Sequence, residues 1–289
     1  MKQTIQIGNR EIGMGQPCFV IAEIGINHNG DLGIAKSLID AAALAGCEAV
    51  KFQKRTVDVV YTAEELSKPR ENPFGATNGD LKRGLEFGLK QYREIDRYCK
   101  EKGILWFASC WDEESVDFME EFQPPCYKIA SASLTDDGLL RHHRKYGRPI
   151  IISTGMSTLA QIDHAVEVLG KENLALMHTT STYPSKAEEL NLRVIPTLQA
   201  RYGVPVGYSG HEVGLAPSVA AAALGACMIE RHITLDRAMW GSDQSASVEL
   251  QGFARLIKDV RAIEASLGDG VKRVYESEVP ISKKLRRKG

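Results

Sequence analysis

The sequence predicts an α/β fold, a (β/α)8 TIM barrel, on three observations. Short apolar runs recur eight times, amphipathic helical patterns fall between most of them, and the series fits in about 250 residues. The runs are 19–22, 49–52, 104–108, 126–129, 149–152, 174–177, 205–208 and 227–230. They carry apolar residues on both faces, as strands of a parallel sheet require.

The helices follow in order. Ile34, Leu38, Ala42 and Ala45 recur at three and four, which predicts a helix over 32–45 stopped by Gly46. Leu159, Ile162, Val166 and Leu169 repeat the pattern before Gly170. Similar helices fit 91–102, 113–121, 135–146, 188–201, 214–225 and 250–267. An open doubly wound sheet is the alternative, and the first strand lacks the Gly-x-Gly-x-x-Gly that would support it.

Three stretches stand outside the repeat. Residues 1–16 hold Thr4-Ile5-Gln6-Ile7 and Arg10-Glu11-Ile12-Gly13 around Gly8-Asn9, a hairpin signal expected to cap the bottom of a barrel spanning 17–270. Segment 54–90 is long, polar and rich in Pro and Gly, and reads as a loop over the face that carries the strand ends. Residues 271–289 form a basic tail, read as solvated.

Composition narrows the function classes. The chain has 289 residues, 43% hydrophobic and 25% charged, with 36 basic against 37 acidic side chains. A net charge of -1 gives no footprint for nucleic acid or an anionic membrane. No apolar run reaches membrane-spanning length and the start lacks a signal-peptide core, so a cytoplasmic location is expected. Cys18, Cys47, Cys99, Cys110, Cys126 and Cys227 are scattered without a Cys-x-x-Cys pair, which argues against disulfides and structural zinc.

Polar residues at the carboxyl ends of barrel strands are the catalytic candidates. In order they are Glu23; Lys51 and Gln53; Ser109 and Cys110; Lys128 and Ser131; Ser153 and Thr154; His178 and Ser181; Ser209 and His211; Glu230 and His232. Lys51 and Lys128 with several hydroxyls suit a small polyanion. Ion pairs with Glu23 or Glu230 are the bland alternative. His211 and His232 end two adjacent strands, with Glu23 in reach, and suit a metal. Lys128 also admits a Schiff base, as in a class I aldolase. Asp243, in the loop after the last strand, suits a hydroxylated substrate or an Asx turn.

Several segments together resemble the N-acetylneuraminate (sialic acid) synthase family. They are Ile21-Ala22-Glu23-Ile24-Gly25-Ile26-Asn27-His28-Asn29-Gly30, Val50-Lys51-Phe52-Gln53, Tyr127-Lys128-Ile129-Ala130-Ser131, Ile152-Ser153-Thr154-Gly155-Met156, Tyr183-Pro184, Gly207-Tyr208-Ser209-Gly210-His211 and Glu230-Arg231-His232-Ile233-Thr234-Leu235-Asp236-Arg237. The resemblance covers about residues 15–287 and implies a barrel that condenses phosphoenolpyruvate with an aldose. The products would be a 2-keto-3-deoxy sugar acid and phosphate, formed with a divalent metal, manganese or magnesium. Carried over by position, Lys51, Lys128, Ser131, Ser153 and Ser209 would hold phosphoenolpyruvate and Glu23 would sit by its reacting end. His211 and His232 would ligate the metal, and Gln53, Tyr183 and Asp243 would contact the open-chain sugar.

The sequence departs from that pattern. Ser109-Cys110-Trp111 replaces Ser-Thr-Pro, which puts Cys110 where a phosphate-contacting hydroxyl is expected. Ser133 replaces a sugar-contacting acid, and Ser181 an asparagine. The chain stops near Lys284-Leu285-Arg286-Arg287, where the family continues into a small antifreeze-like domain exchanged between the subunits of a dimer. A barrel-only member is therefore expected, with a possible homodimer and an open choice of acceptor. The competing readings are the class I aldolase or lyase using Lys128 and a sugar-binding barrel without chemistry.

Overall fold

A computed structural model describes residues 4–287. Residues 1–3 of the expected cap and Lys288 and Gly289 of the expected basic tail lie outside them.

The chain begins with a two-stranded antiparallel hairpin, β1 (Ile5–Ile7) and β2 (Arg10–Ile12), turning at Gly8-Asn9. The barrel strands are β3 (Phe19–Gly25), β4 (Ala49–Lys54), β7 (Leu105–Cys110), β8 (Tyr127–Ile129), β9 (Ile150–Ser153), β10 (Leu174–Thr179), β11 (Val206–Gly210) and β12 (Met228–His232). A second hairpin, β5 (Pro69–Asn72) and β6 (Gly75–Thr77), stands between β4 and β7. The eight barrel strands are all parallel and close in chain order, with β12 pairing back onto β3. The open-sheet alternative is excluded.

Alternation along each strand makes two cores. Val20, Ala22, Val50, Phe52, Trp106, Ala108, Ile129, Ile152, Leu176 and Ile229 point outward and pack under the helices. Phe19, Ile21, Phe107, Cys126, Ile151, Met177 and Met228 point inward and fill the lower barrel, with Ile5, Ile7 and Ile12 of the hairpin against them. The hairpin therefore stops one end of the barrel with three buried isoleucines, and the barrel interior opens at the carboxyl end of the strands.

The helices match the 3.6-residue pattern and its end signals. Asp31 caps Leu32–Ala45 by accepting from the Ile34 N–H, and Gly46 ends it in the left-handed region. Thr158 and Gln161 form a capping box ahead of Leu159–Leu169. Four helices are shorter than their pattern: the one expected over 188–201 is Val194–Tyr202, the one over 214–225 is Ala216–Ala223, the one over 135–146 is Asp137–Lys145, and the one over 113–121 is Glu113–Glu120.

Segment 54–90 is not a plain loop. It holds helices Val57–Val60, Ala63–Ser67 and Asn78–Leu85 besides the β5–β6 hairpin. Phe74 at the hairpin tip wedges against two glycines. A Cβ on Gly84 would lie 2.1 Å from Phe74, and one on Gly30 would lie 2.3 Å from the Gly84 carbonyl oxygen. The absence of side chains at both positions is what lets the insertion lie flush on the loop after β3. The tail carries a helix, Val279–Leu285, whose Val279, Ile281 and Leu285 are exposed.

Candidate active site

Inward-facing residues at the carboxyl ends of the strands enclose a cavity of about 190 Å³. A hollow of about 440 Å³ lies at the opposite end of the barrel, between Gly13–Cys18, Cys227 and Leu267. Its charged side chain, Glu264, is already engaged by the Cys18 N–H and Arg261. The smaller cavity is the chemically equipped one, because buried unlike charges converge there.

Register explains the convergence. Glu23 lies beside Lys51 on β4 and His232 on β12; Ser109 lies beside Gln53 and Lys128; Ser209 lies beside Thr179 and Glu230. Lys51 is 4% exposed and Lys128 2%. The Lys51 Nζ stands 3.0 Å from Glu230 Oε1 and 3.4 Å from Glu23 Oε2, and donates to Ser109 Oγ at 3.3 Å. The Lys128 Nζ donates to Ser153 Oγ at 2.6 Å and lies 3.8 Å from Glu230. Ser209 Oγ donates to the same Glu230 oxygen at 3.0 Å. Glu23 Oε2 and Glu230 Oε2 are buried with no hydrogen-bond partner among the described residues.

These contacts split the four titrations. Burial pushes the Glu23 carboxyl up to about 7, Lys51 pulls it down and Glu230 pushes it further up. Burial also works against the Glu230 carboxylate, but Lys128 and Lys51 outweigh it and hold the group down at about 2. Burial draws the Lys128 ammonium down to about 8, against the pull of Glu230. At Lys51 burial acts in the same sense, yet Glu23 and Glu230 reverse it and raise the group. Near neutrality the floor holds two ammonium groups, one firm carboxylate and one carboxyl poised between its two forms.

His211 and His232 stand on the wall, with ring centroids 5.5 Å apart and Tyr183 packed on both. His211 Nδ1 is tied to the Thr180 carbonyl at 2.7 Å, which fixes the proton there and leaves Nε2 as a lone-pair donor. His232 Nδ1 is buried with no hydrogen-bond partner among the described residues, 3.8 Å from Asp243 Oδ2. Burial, helped by the neighbouring His232, lowers His211 to about 4, and burial lowers His232 as well. Two neutral imidazoles with unused nitrogens fit a catalytic divalent cation whose other positions go to substrate or water. Among the described residues no cluster of three or more His, Cys, Asp or Glu is assembled for a cation.

The structure gathers Glu23, Lys51, Gln53, Lys128, Ser131, Ser153, Ser181, Tyr183, Ser209, His211 and His232 around the cavity. Cys110 is a correction. Its neighbours Ser109 and Trp111 line the cavity, whereas Cys110 points outward into the helix-facing core and is fully buried there. Strand alternation sends Ser109 in and Cys110 out, so the thiol is in no position to contact phosphate. Burial raises it well above the usual thiol range. His178 likewise faces out, bonded to the Leu190 carbonyl. Asp243 lies outside the cavity lining, beside His232. Glu230, a strand-end candidate and the expected lysine partner, lines the cavity too, as do Thr179 and Met156, for which the sequence predicts no role. The inward parity of Thr179 on β10 was the signal available for one of them.

Comparison with known proteins fits this geometry. A profile of the NeuB family matches residues 38–272. The chain belongs to the NeuB family. It is 43% identical over 282 residues to the human N-acetylneuraminate-9-phosphate synthase, covering 96% of this chain and 78% of that protein. It is 38% identical over 267 residues to the Campylobacter jejuni N,N'-diacetyllegionaminic acid synthase, covering 90% and 80%. Among solved structures, the N-acetylneuraminic acid (sialic acid) synthetase of Leptospira borgpetersenii superposes with a TM-score of 0.87 at 32% identity, over 100% of this chain and 99% of that one. The chain is an N-acetylneuraminate synthase-like enzyme built on a TIM barrel. No helix among the described residues is long and apolar enough to cross a membrane.

Proposed function

We propose that this NeuB-family barrel condenses phosphoenolpyruvate with an aldose of the N-acetylmannosamine kind, giving a 2-keto-3-deoxy sugar acid of the sialic acid type and phosphate. One observation carries the reading. Two buried lysines are balanced by two buried carboxylates among serine hydroxyls, on the floor of a one-ended cavity with a neutral histidine pair on its wall.

Lys51 and Lys128 supply point charge to the phosphate and carboxylate of phosphoenolpyruvate, and Ser131, Ser153 and Ser209 orient its oxygens. This fixes C3 toward the mouth, where Gln53, Ser181 and Tyr183 face the aldose; Asp243 supports that side from behind His232. His211 and His232 would hold a manganese or magnesium ion, which as a Lewis acid polarises the aldehyde.

C3 bonds to the aldehyde carbon, whose oxygen takes up one proton, and C2 becomes electron-poor. The Glu23 carboxylate stabilises that charge and accepts a proton from the water that adds at C2. The C2–O bond to phosphate then breaks, the proton of the new hydroxyl leaves with the phosphate, the keto group remains, and the proton held by Glu23 makes good the one taken up by the aldehyde oxygen. The reading carries a cytoplasmic setting, where phosphoenolpyruvate is made.

A second reading retains one supporting observation: the Lys128 ammonium titrates near 8, which suits a Schiff-base nucleophile. One experiment separates the two. Phosphate release from phosphoenolpyruvate is followed with N-acetylmannosamine, mannose, arabinose and their phosphates, with and without manganese, and in parallel with borohydride. Release with one aldose, abolished by chelator and without a trapped adduct, supports the condensation. A borohydride-trapped adduct at Lys128 without phosphate release supports the aldolase, and neither signal from folded, metal-loaded protein supports a binding role.

A further inference from the structure

Arg55, just beyond β4, was no candidate in the sequence and does not line the cavity, yet it is only 9% exposed. Its guanidinium lies over the ring of cavity-lining Trp111, 4.5 Å from the centroid. Its Nη1 donates to Glu86 Oε1 at 3.2 Å, and its backbone N–H donates to Glu86 Oε2 at 3.1 Å. Its Nη2 donates to the side-chain carbonyl of Gln53. The amide nitrogen of Gln53 in turn donates to Glu23 Oε1 at 2.9 Å.

A carboxamide has one accepting and one donating end, and either end can face a given neighbour. A guanidinium only donates, so Arg55 captures the carbonyl end and leaves the amino end for Glu23. Glu86 also accepts from Lys54 Nζ at 3.4 Å, so Arg55 is not needed merely to neutralise it. The flat fork is needed to reach Gln53 and Glu86 at once while lying on Trp111, which a lysine ammonium does not reproduce.

We propose that Arg55 is a positioning residue, acting through Gln53 to fix the carboxamide orientation that holds Glu23. Its effect on catalysis rests on the condensation reading above; its effect on Gln53 does not. The chain of contact runs from the insertion through Glu86 and Arg55 to Gln53 and Glu23. It gives the segment after β4 a hold on the reacting end of the site.

The test uses the full chain as R55M, R55K, Q53A and R55M/Q53A. Selective nitrogen-15 labelling of glutamine, with the Gln53 signal assigned from Q53A, reads the amide whatever the reaction. Its protons are protected from exchange in the parent and lose protection in R55M and R55K. With the aldose that supports phosphate release, R55M lowers kcat roughly 10- to 100-fold and leaves KM for phosphoenolpyruvate within about twofold. R55K does not restore kcat, and R55M/Q53A equals Q53A within about twofold, because Arg55 acts through Gln53.

Should R55M fail to fold, E86Q takes its place: kcat and amide protection fall in the Gln53 background, and kcat is unchanged in the Q53A background. A Gln53 signal unmoved by R55M, or a kcat loss in the double variant that multiplies that of Q53A, overturns the proposal. A parent that releases no phosphate while R55M still frees the amide counts against the reaction and not against Arg55's hold on Gln53.

Discussion

Replacing Lys51 by Met keeps the stem volume and removes the cation that links two buried carboxylates. The ammonium stands 3.0 Å from Glu230 and 3.4 Å from Glu23, with all three side chains at most 5% exposed. Removing one partner of such a group leaves an uncompensated buried charge, and that costs about 3–5 kcal/mol. Lys128, 3.8 Å from Glu230, still serves that carboxylate, so most of the loss falls on Glu23.

Glu23 can escape by keeping its proton, which makes the loss depend on pH. Its carboxyl titrates at about 7 in the fold, above about 4.3 unfolded, so its burial penalty grows from about pH 4.3 and is complete above 7. Without Lys51 the folded value rises further, so the penalty keeps growing beyond pH 7. Each added unit is worth about 1.4 kcal/mol. Urea unfolding of K51M and the parent at pH 6 and pH 8.5 should show the smaller difference at pH 6 and the larger at pH 8.5. A difference below about 1 kcal/mol at pH 8.5, where up to about 2 kcal/mol is expected from the unpaired Glu23 between pH 7 and 8.5, would refute the charge-cluster reasoning. An equal difference at both pH values would refute the assignment to Glu23.

Three further outcomes follow from the geometry. Cys110→Ser buries a hydroxyl in the helix-facing layer and should lower stability by about 1–3 kcal/mol while KM for phosphoenolpyruvate stays unchanged; unfolding and steady-state rates read the two separately. His211→Ala should weaken divalent-metal binding at least tenfold by calorimetry, with circular dichroism unchanged, since the structure offers its Nε2 as a donor on the cavity wall. Buried His143 is lowered to about 4 by burial, so its unfolded form takes a proton first as pH falls below about 6.5, and stability drops between those values. By pH 5 that proton accounts for about 2 kcal/mol, and H143Q should show an acid stability limb shallower by that amount.

The eight strands and most of the helices were legible because burial on both faces and 3.6-residue periodicity are local properties of the chain. The strand-end residues followed from the fold class itself. Orientation was less accessible. Ser109 and Cys110 are adjacent and both polar-capable, and only the parity of β7 relative to Phe107 sends one into the cavity and the other under a helix. Reading that parity needed a residue already known to face inward. The structure of 54–90 was hidden because Phe74, Gly30 and Gly84 meet by tertiary packing, with no periodicity to announce it. Arg55 was hidden for a related reason: its meaning lies in Glu86 and Trp111, which are distant in sequence.

The isoleucine stopper has a consequence for traffic. With Ile5, Ile7 and Ile12 sealing one end, the cavity is a blind well whose charged floor lies beneath its mouth. On the proposed reading, phosphoenolpyruvate seated on Lys51 and Lys128 would have to pass the mouth before the aldose occupies it. The shape of the barrel would then set the order of binding, ahead of any preference in affinity.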